Sequence, residues 1–417
     1  MRKFLRVTLA VSVVLFGAAL LGGPVASGGL FLLLPAPHSA VDHDLPEDYK
    51  PRHKGSVTLS TGSYVRENED LIVRGTPALI LRRTYLSGYR APKEFGIGTT
   101  HPGEQYLVGD ERFQQASLIQ ANGSWIRFAR TSPGTSFVNA MFKHSSSPSE
   151  WQGARLGWAG GRWALRRTDG SLLMFRPCDD KSGPSCSSSI VASRDADGHT
   201  VHFSRDQSGR LLKMEAEPDR WIAFDYDGKG RIVRACSSDK REVHYRYDEG
   251  GRLTTVTSSD EGIRRYTYTA LDELATIDEP GTSIENIYDS GRVVRQVNRF
   301  EDGSTPYTFD FKYDVTAGLV VRTESRESDG SWRDYTWGPD RYSTSETWGG
   351  DGVQPAVFTY DRDPGSNMIT GLTLTCPDRT GRPLRHSSLV RPGREDWIKQ
   401  DLLRTHCSWT NRRSRDD

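Results

Sequence analysis

Carboxylates recur beside tyrosines along this 417-residue chain, at Tyr226-Asp227, Tyr247-Asp248, Tyr288-Asp289, Tyr313-Asp314 and Tyr360-Asp361. Two acids flanking one bond are the equipment of glycoside hydrolysis, so that is the first chemistry to weigh. A catalytic pair is needed once, however, and these acids return at one place in a repeated unit. They read as turn formers. His199 and His202 could seat a metal only with further ligands, and on a strand their odd spacing sends them to opposite faces. No nucleophile elbow, phosphate loop or zinc-type spacing occurs in the sequence. No catalytic, cofactor-binding or metal-binding residue is therefore expected.

The elements around these acids explain their spacing. A Gly-Arg pair follows each of three Tyr-Asp pairs: Gly230-Arg231, Gly251-Arg252 and Gly291-Arg292. With Gly209-Arg210 the first three pairs recur every 21 residues; Asp272-Glu273 holds the next place, and Gly291 comes slightly early. Upstream, apolar residues alternate with polar ones: Ile222, Phe224, Tyr226, then Val243, Tyr245, Tyr247. Period two with one apolar face predicts half-buried strands. The Asp can accept from backbone N–H groups ahead of it, and the Gly can take positive φ. Return strands begin at Ile232, Leu253, Leu274 and Val293. Single hairpins are marginal in water, so the units must join edge to edge. Gly 41 and aromatics at 10% agree with an all-β chain.

Other features bound location and partners. Lys+Arg 55 against Asp+Glu 54 gives a net charge of +1, with no electrostatic case for nucleic acid or for an acidic partner. Arg2, Lys3 and Arg6 precede an apolar stretch running to Pro35. Both a cleaved export signal and an uncleaved membrane anchor fit it, and both put the body outside the cytoplasm. Of five cysteines, Cys178 and Cys186 flank a short polar loop, and Cys376 with Cys407 could tie down the tail; five reduced thiols are the other reading. Trp397, Ile398, Asp401, Leu402 and Leu403 have helical spacing and predict a short helix covering a sheet edge.

The repeats resemble the YD repeat of the Rhs (rearrangement hotspot) and teneurin families over roughly residues 200–370. Upstream, Gly55 to Ser87 and Phe95 to His101 are similar to the segment that precedes the repeats in bacterial Rhs proteins. The resemblance implies a β-shell. Because recognisable copies number about eight, the expectation is an all-β, repetitive antiparallel sheet forming an open or partial shell. An N-terminal signal or anchor helix and a short C-terminal helix complete it. The expected divisions are 1–35 signal or anchor, 36–54 linker, 55–199 Rhs-type N-terminal β region, 200–370 YD-repeat sheet and 371–417 tail. Asp363-Pro364-Gly365 resembles the Asp-Pro-x-Gly motif at which Rhs cores cleave themselves, but its place after Tyr360-Asp361 marks it as a turn. The function expected is a non-catalytic, exported or anchored scaffold in envelope or cell-contact biology, with a protein or carbohydrate partner. A reduced effector with activity in its tail and a carbohydrate-binding module are the alternatives.

Overall fold

The computed structural model describes residues 52–53, 56–109, 114–121, 124–136, 139–177, 187–377, 382–389, 398–399, 401–403 and 407. The expected signal or anchor, Cys178, Cys186 and Trp397 lie outside the described residues.

Patterning decides the strands. In Glu242–Tyr247, Val243 and Tyr245 are buried while His244 and Arg246 are exposed. Arg220–Tyr226 buries Ile222 and Phe224 and exposes Asp225. Apart from three small sheets, the strands from Tyr106–Gly109 to Pro383–Leu389 make one large antiparallel sheet in which sequence neighbours pair. The all-β class and hairpin repetition are those the sequence predicts.

The sheet also closes on itself, which goes beyond the open or partial shell expected. Ser187, Ser188 and Ser189 pair with Val108, Leu107 and Tyr106. The reason lies upstream of the repeats. Strand Ser187–Arg194 gives its first residues to Tyr106–Gly109 and its last to Thr200–Arg205. One strand thereby closes a ring and starts the run of repeats.

The turns vary on one plan. Between Tyr226 and Ile232 the Asp227 N–H donates to the Arg231 carbonyl at 2.8 Å and Gly230 N–H to the Asp227 carbonyl at 3.1 Å. Gly230 has φ +79°, the position that closes such a loop with a bulge. In the next-but-one unit Asp272 fills this place at φ +63°, a conformation acids tolerate better than most residues. Thr269 there replaces the turn Asp, its Oγ1 accepting from the N–H groups of Leu271 and Glu273. Asp289 pairs directly with Arg292 across Ser290 and Gly291, both at positive φ. That two-residue turn is why Gly291 arrives early.

The outward face of the repeats is laced with charge. Arg234 lies between Asp225 and Glu242, Arg295 pairs with Asp310 and Arg322 with Asp334. Exposed pairs of this kind add little stability. They do make the face one that water solvates, unlike the apolar outer band of a membrane barrel. No helix among the described residues is long and apolar enough to cross a membrane.

Near the C-terminus, residues 398–399 and 401–403 are helical. Ile398 and Leu402 pack with Phe358, Leu372 and Leu374. These belong to strands with a neighbour on each side, so the helix covers the sheet's face where an edge was expected. Lys399 Nζ meets the buried Glu346 Oε2 at 2.8 Å, and a disulfide joins Cys376 to Cys407.

Candidate functional site

The repeated residues form a relay from hairpin to hairpin. Tyr226 Oη donates to the Leu211 carbonyl at 2.8 Å, Tyr247 to Ile232 at 2.6 Å and Tyr268 to Leu253 at 2.7 Å. Tyr288 reaches Leu274 at 3.0 Å and Tyr313 reaches Val293 at 2.9 Å. Each acceptor opens the return strand of the unit before. Burial pushes the Tyr247 hydroxyl far above its ordinary pKa, so it remains a donor at any physiological pH.

The acids hold the turns. Asp227 Oδ1 accepts from the N–H of Lys229 and of Arg231, each at 2.9 Å. Its Oδ2 takes the Arg231 guanidinium at 2.8 Å. Asp248 treats Arg252 alike, at 2.9 Å from its N–H and 2.6 Å from its Nε. The arginines then pass to the next unit: Arg231 lies 4.5 Å from the Tyr247 ring centre and Arg252 lies 5.5 Å from that of Tyr268. This arginine role escaped the sequence reading, although its signal, the equal step from Arg210, Arg231 and Arg252 to Tyr226, Tyr247 and Tyr268, was in plain view.

Two predictions arise here. Tyr247→Phe should cost about 1 kcal/mol in urea unfolding, because the Ile232 carbonyl loses its donor; a change below a few tenths would mean that the hydroxyl adds nothing. The second concerns acid. Burial alone would raise the carboxyls of Asp227 and Asp248, yet hydrogen bonds from Arg231 and Arg252 hold both below the usual range. Arg241 draws Asp239 down to about 2. A depressed carboxylate adds stability above its unfolded pKa and loses it as pH falls through the folded one. The melting midpoint should therefore hold down to about pH 4 and fall between about pH 4 and 2. A midpoint that instead declines from pH 6 would contradict this.

The inner face of the repeats carries a second layer, residues 56–104. At four of the bulges a backbone N–H faces this segment, and a buried N–H requires an acceptor. The segment supplies them. Leu211 N–H meets Glu94 Oε1 at 3.4 Å and Ile232 N–H meets the Glu94 carbonyl at 2.7 Å. Leu274 N–H meets Tyr85 Oη at 2.9 Å and Val293 N–H meets the Gly62 carbonyl at 2.9 Å. Ile97 N–H donates in the other direction, to the Gly251 carbonyl at 3.1 Å.

At the centre of this layer stands Asp70, with its side chain fully buried. It pairs with Arg83 from the adjacent strand and, at 2.9 Å each, with Arg264 and the Tyr245 hydroxyl from the repeats. Burial pulls against the Arg83 charge, but Asp70 outweighs it and its pKa is raised. The guanidinium lies between 5.7 and 5.9 Å from the ring centres of Tyr245, Tyr266 and Phe95. Arg83 also donates to the Tyr266 hydroxyl and Tyr85 to the Asp272 carbonyl, partners more than 180 residues on that no local pattern links to them.

Other acid and histidine groups are also engaged. Glu94, His101 and Glu104 converge within 4.8 Å. Both His101 nitrogens are already used: Nδ1 accepts from Gly103 N–H at 3.2 Å and Nε2 meets Glu94 at 2.7 Å. His199 turns back on Asp195 at 3.0 Å, and His202 stands exposed on its strand. A cleft of about 660 Å³ is lined by Glu69, Arg74, Asp219, Arg220, Arg241 and Asp260 among others, and Arg241 bonds Asp239 and Asp260 there. Asp363 Oδ1 accepts from the N–H of Gly365 at 3.1 Å and of Ser366 at 2.8 Å, which builds a turn. Of the other acids that follow a tyrosine, Asp314 lies 3.4 Å from Arg322 and Asp361 pairs along its strand with Gly371.

These features define a repetitive β-hairpin scaffold with a second segment lodged on its inner face. Two family profiles match: one described as RHS Repeat at residues 226–263 and a domain of unknown function, DUF6531, at residues 54–128. No curated protein sequence matches the chain. Solved structures that resemble it include a TcdB2-TccC3-Cdc42 complex (9% identity, TM-score 0.36, 79% of this chain and 23% of that one). Another is a Tc holotoxin pore of Photorhabdus luminescens (10% identity, TM-score 0.34, 79% and 21%). The chain thus spans less than a quarter of the length of these two. The chain carries RHS-type repeats, matched at residues 226–263.

Proposed function

We propose that this Rhs-repeat scaffold works without catalysis, outside the cytoplasm, by binding through its surface or by enclosing a partner. One observation carries the reading: the recurring Tyr, Asp and Arg groups are bound to one another and to the backbone, so repetition serves construction. The basic, apolar start of the sequence supports export, with the body periplasmic, at the cell surface or secreted.

The full-length chain, expressed in bacteria, tests both halves. Protease added to spheroplasts should remove the body while a cytoplasmic marker survives; survival of both would overturn export. Expression confined to the cytoplasm should leave growth unchanged. Growth arrest that disappears when residues 371–417 are deleted would instead establish an effector with activity in its tail.

A further inference from the structure

The near-zero net charge conceals a segregation. Between Trp125 and Arg176 the chain has eight Lys or Arg and two Asp or Glu, so the remainder is net acidic. The strand register concentrates this excess. Lys143 pairs directly with Arg155, and Arg155 with Arg166. All three are exposed, as is Arg162, and among the described residues none of the four has a carboxylate partner. Like charges directly opposite on neighbouring strands repel. The outward face of the YD repeats avoids this by setting an acid beside each of several arginines. The contrast marks a surface whose counter-charge comes from elsewhere.

The next row over is apolar and low. Met141 pairs with Gly157, Gly157 with Ala164 and Ala164 with Met174. Met141 is 45% exposed. A row of cations beside a shallow apolar strip suits lipid headgroups, where long basic side chains keep their charge among phosphates while Met141 enters the interface. A single-stranded nucleic acid would want aromatic faces next to the cations, but Trp163 is buried, Trp158 packs against the core, and the half-exposed Trp125 lies four residues along its strand from Ala129, the partner of Lys143.

We propose that this face, built on Lys143, Arg155, Arg162 and Arg166, docks on an anionic phospholipid surface. The proposal rests on the exported reading above, with the apolar stretch to Pro35 retained as a membrane anchor. From Pro35 to the first described strand at Arg52 the chain has reach enough to hold the body within roughly 55 Å of a bilayer.

The test is amine labelling of the full-length chain in nanodiscs of phosphatidylcholine, with or without phosphatidylglycerol, read by mass spectrometry. Lys312, exposed on the repeat face, serves as the control. Lys143 should label roughly threefold more slowly, or slower still, when the anionic lipid is present at about 0.1 M salt, and the difference should vanish at about 1 M. Arg155→Ser with Arg166→Ser should abolish it. Equal labelling in both lipids, or protection that survives the double substitution, overturns the proposal. So does protection by a single-stranded oligonucleotide but not by phosphatidylglycerol. If the chain fails to enter phosphatidylcholine discs at all, the anchored reading has failed by itself. Added vesicles, with and without phosphatidylglycerol, then decide the docking face by the same readout.

Discussion

Replacing Asp70 with alanine is expected to destabilise the body by about 3–5 kcal/mol, since it strands buried cations without their partner. Arg83 would keep its aromatic neighbours and lose its carboxylate. Among the described residues Arg264 would keep Glu261 as its carboxylate partner, and the Tyr245 hydroxyl would lose its acceptor. The loss should be non-additive. Asp70→Ala combined with Arg83→Met removes both charges and should recover more than half of it, as buried pairs replaced by apolar groups commonly do. Urea unfolding of the four species closes the cycle. A cost below about 1 kcal/mol for the single change would show that water reaches the site and that the node does not fasten the two layers.

Phe95→Ala should cost a similar amount, about 3–5 kcal/mol. Phe95 is fully buried, edge-on to Tyr245 at 4.9 Å between ring centres and to His101 at 5.5 Å. Its surroundings cannot easily collapse into the space. Gly96, next along, sits at φ +87°, and a Cβ there would lie 2.6 Å from the Gly251 carbonyl oxygen; the backbones are already in contact. The amides of Ile97 and Ile232, which bond across this junction, should lose protection from hydrogen exchange together. If they stay protected and the cost is below about 1.5 kcal/mol, the segment is held chiefly elsewhere.

Much of the fold was legible because its determinants are local. Alternation in Val243, Tyr245 and Tyr247 gives the strand, and the Asp and Gly spacing gives the turn. Even the exceptions, Asp272 at positive φ and the shorter Ser290-Gly291 turn, follow from residue chemistry visible in the sequence. The inner layer was not legible in the same way. Its partners are backbone N–H groups of Leu211, Ile232 and Val293, which any sequence would supply, so no side-chain pattern in residues 56–104 announces them. Asp70 gives only the hint of one acid beside Leu71, Ile72 and Val73. Ring closure was hidden too, since Ser187 to Ser189 meet Tyr106 to Val108 with no repeat to mark the pairing. The cationic face was masked by averaging, because a sum over the whole chain cancels a local excess.

The way the tyrosines are satisfied has a bearing on how such a protein can change in length. The hydroxyls of Tyr226, Tyr247, Tyr268, Tyr288 and Tyr313 reach main-chain carbonyls, which any neighbouring unit would supply, so these contacts let copies be gained or dropped by duplication. The segment at residues 56–104 removes that freedom locally. It grips Ile232, Gly251, Leu274 and Val293, and Thr323 hydrogen-bonds to its Leu59 carbonyl. It behaves as a gauge, fixing how many units lie between its first and last attachment, whereas copies beyond it are free to vary in number.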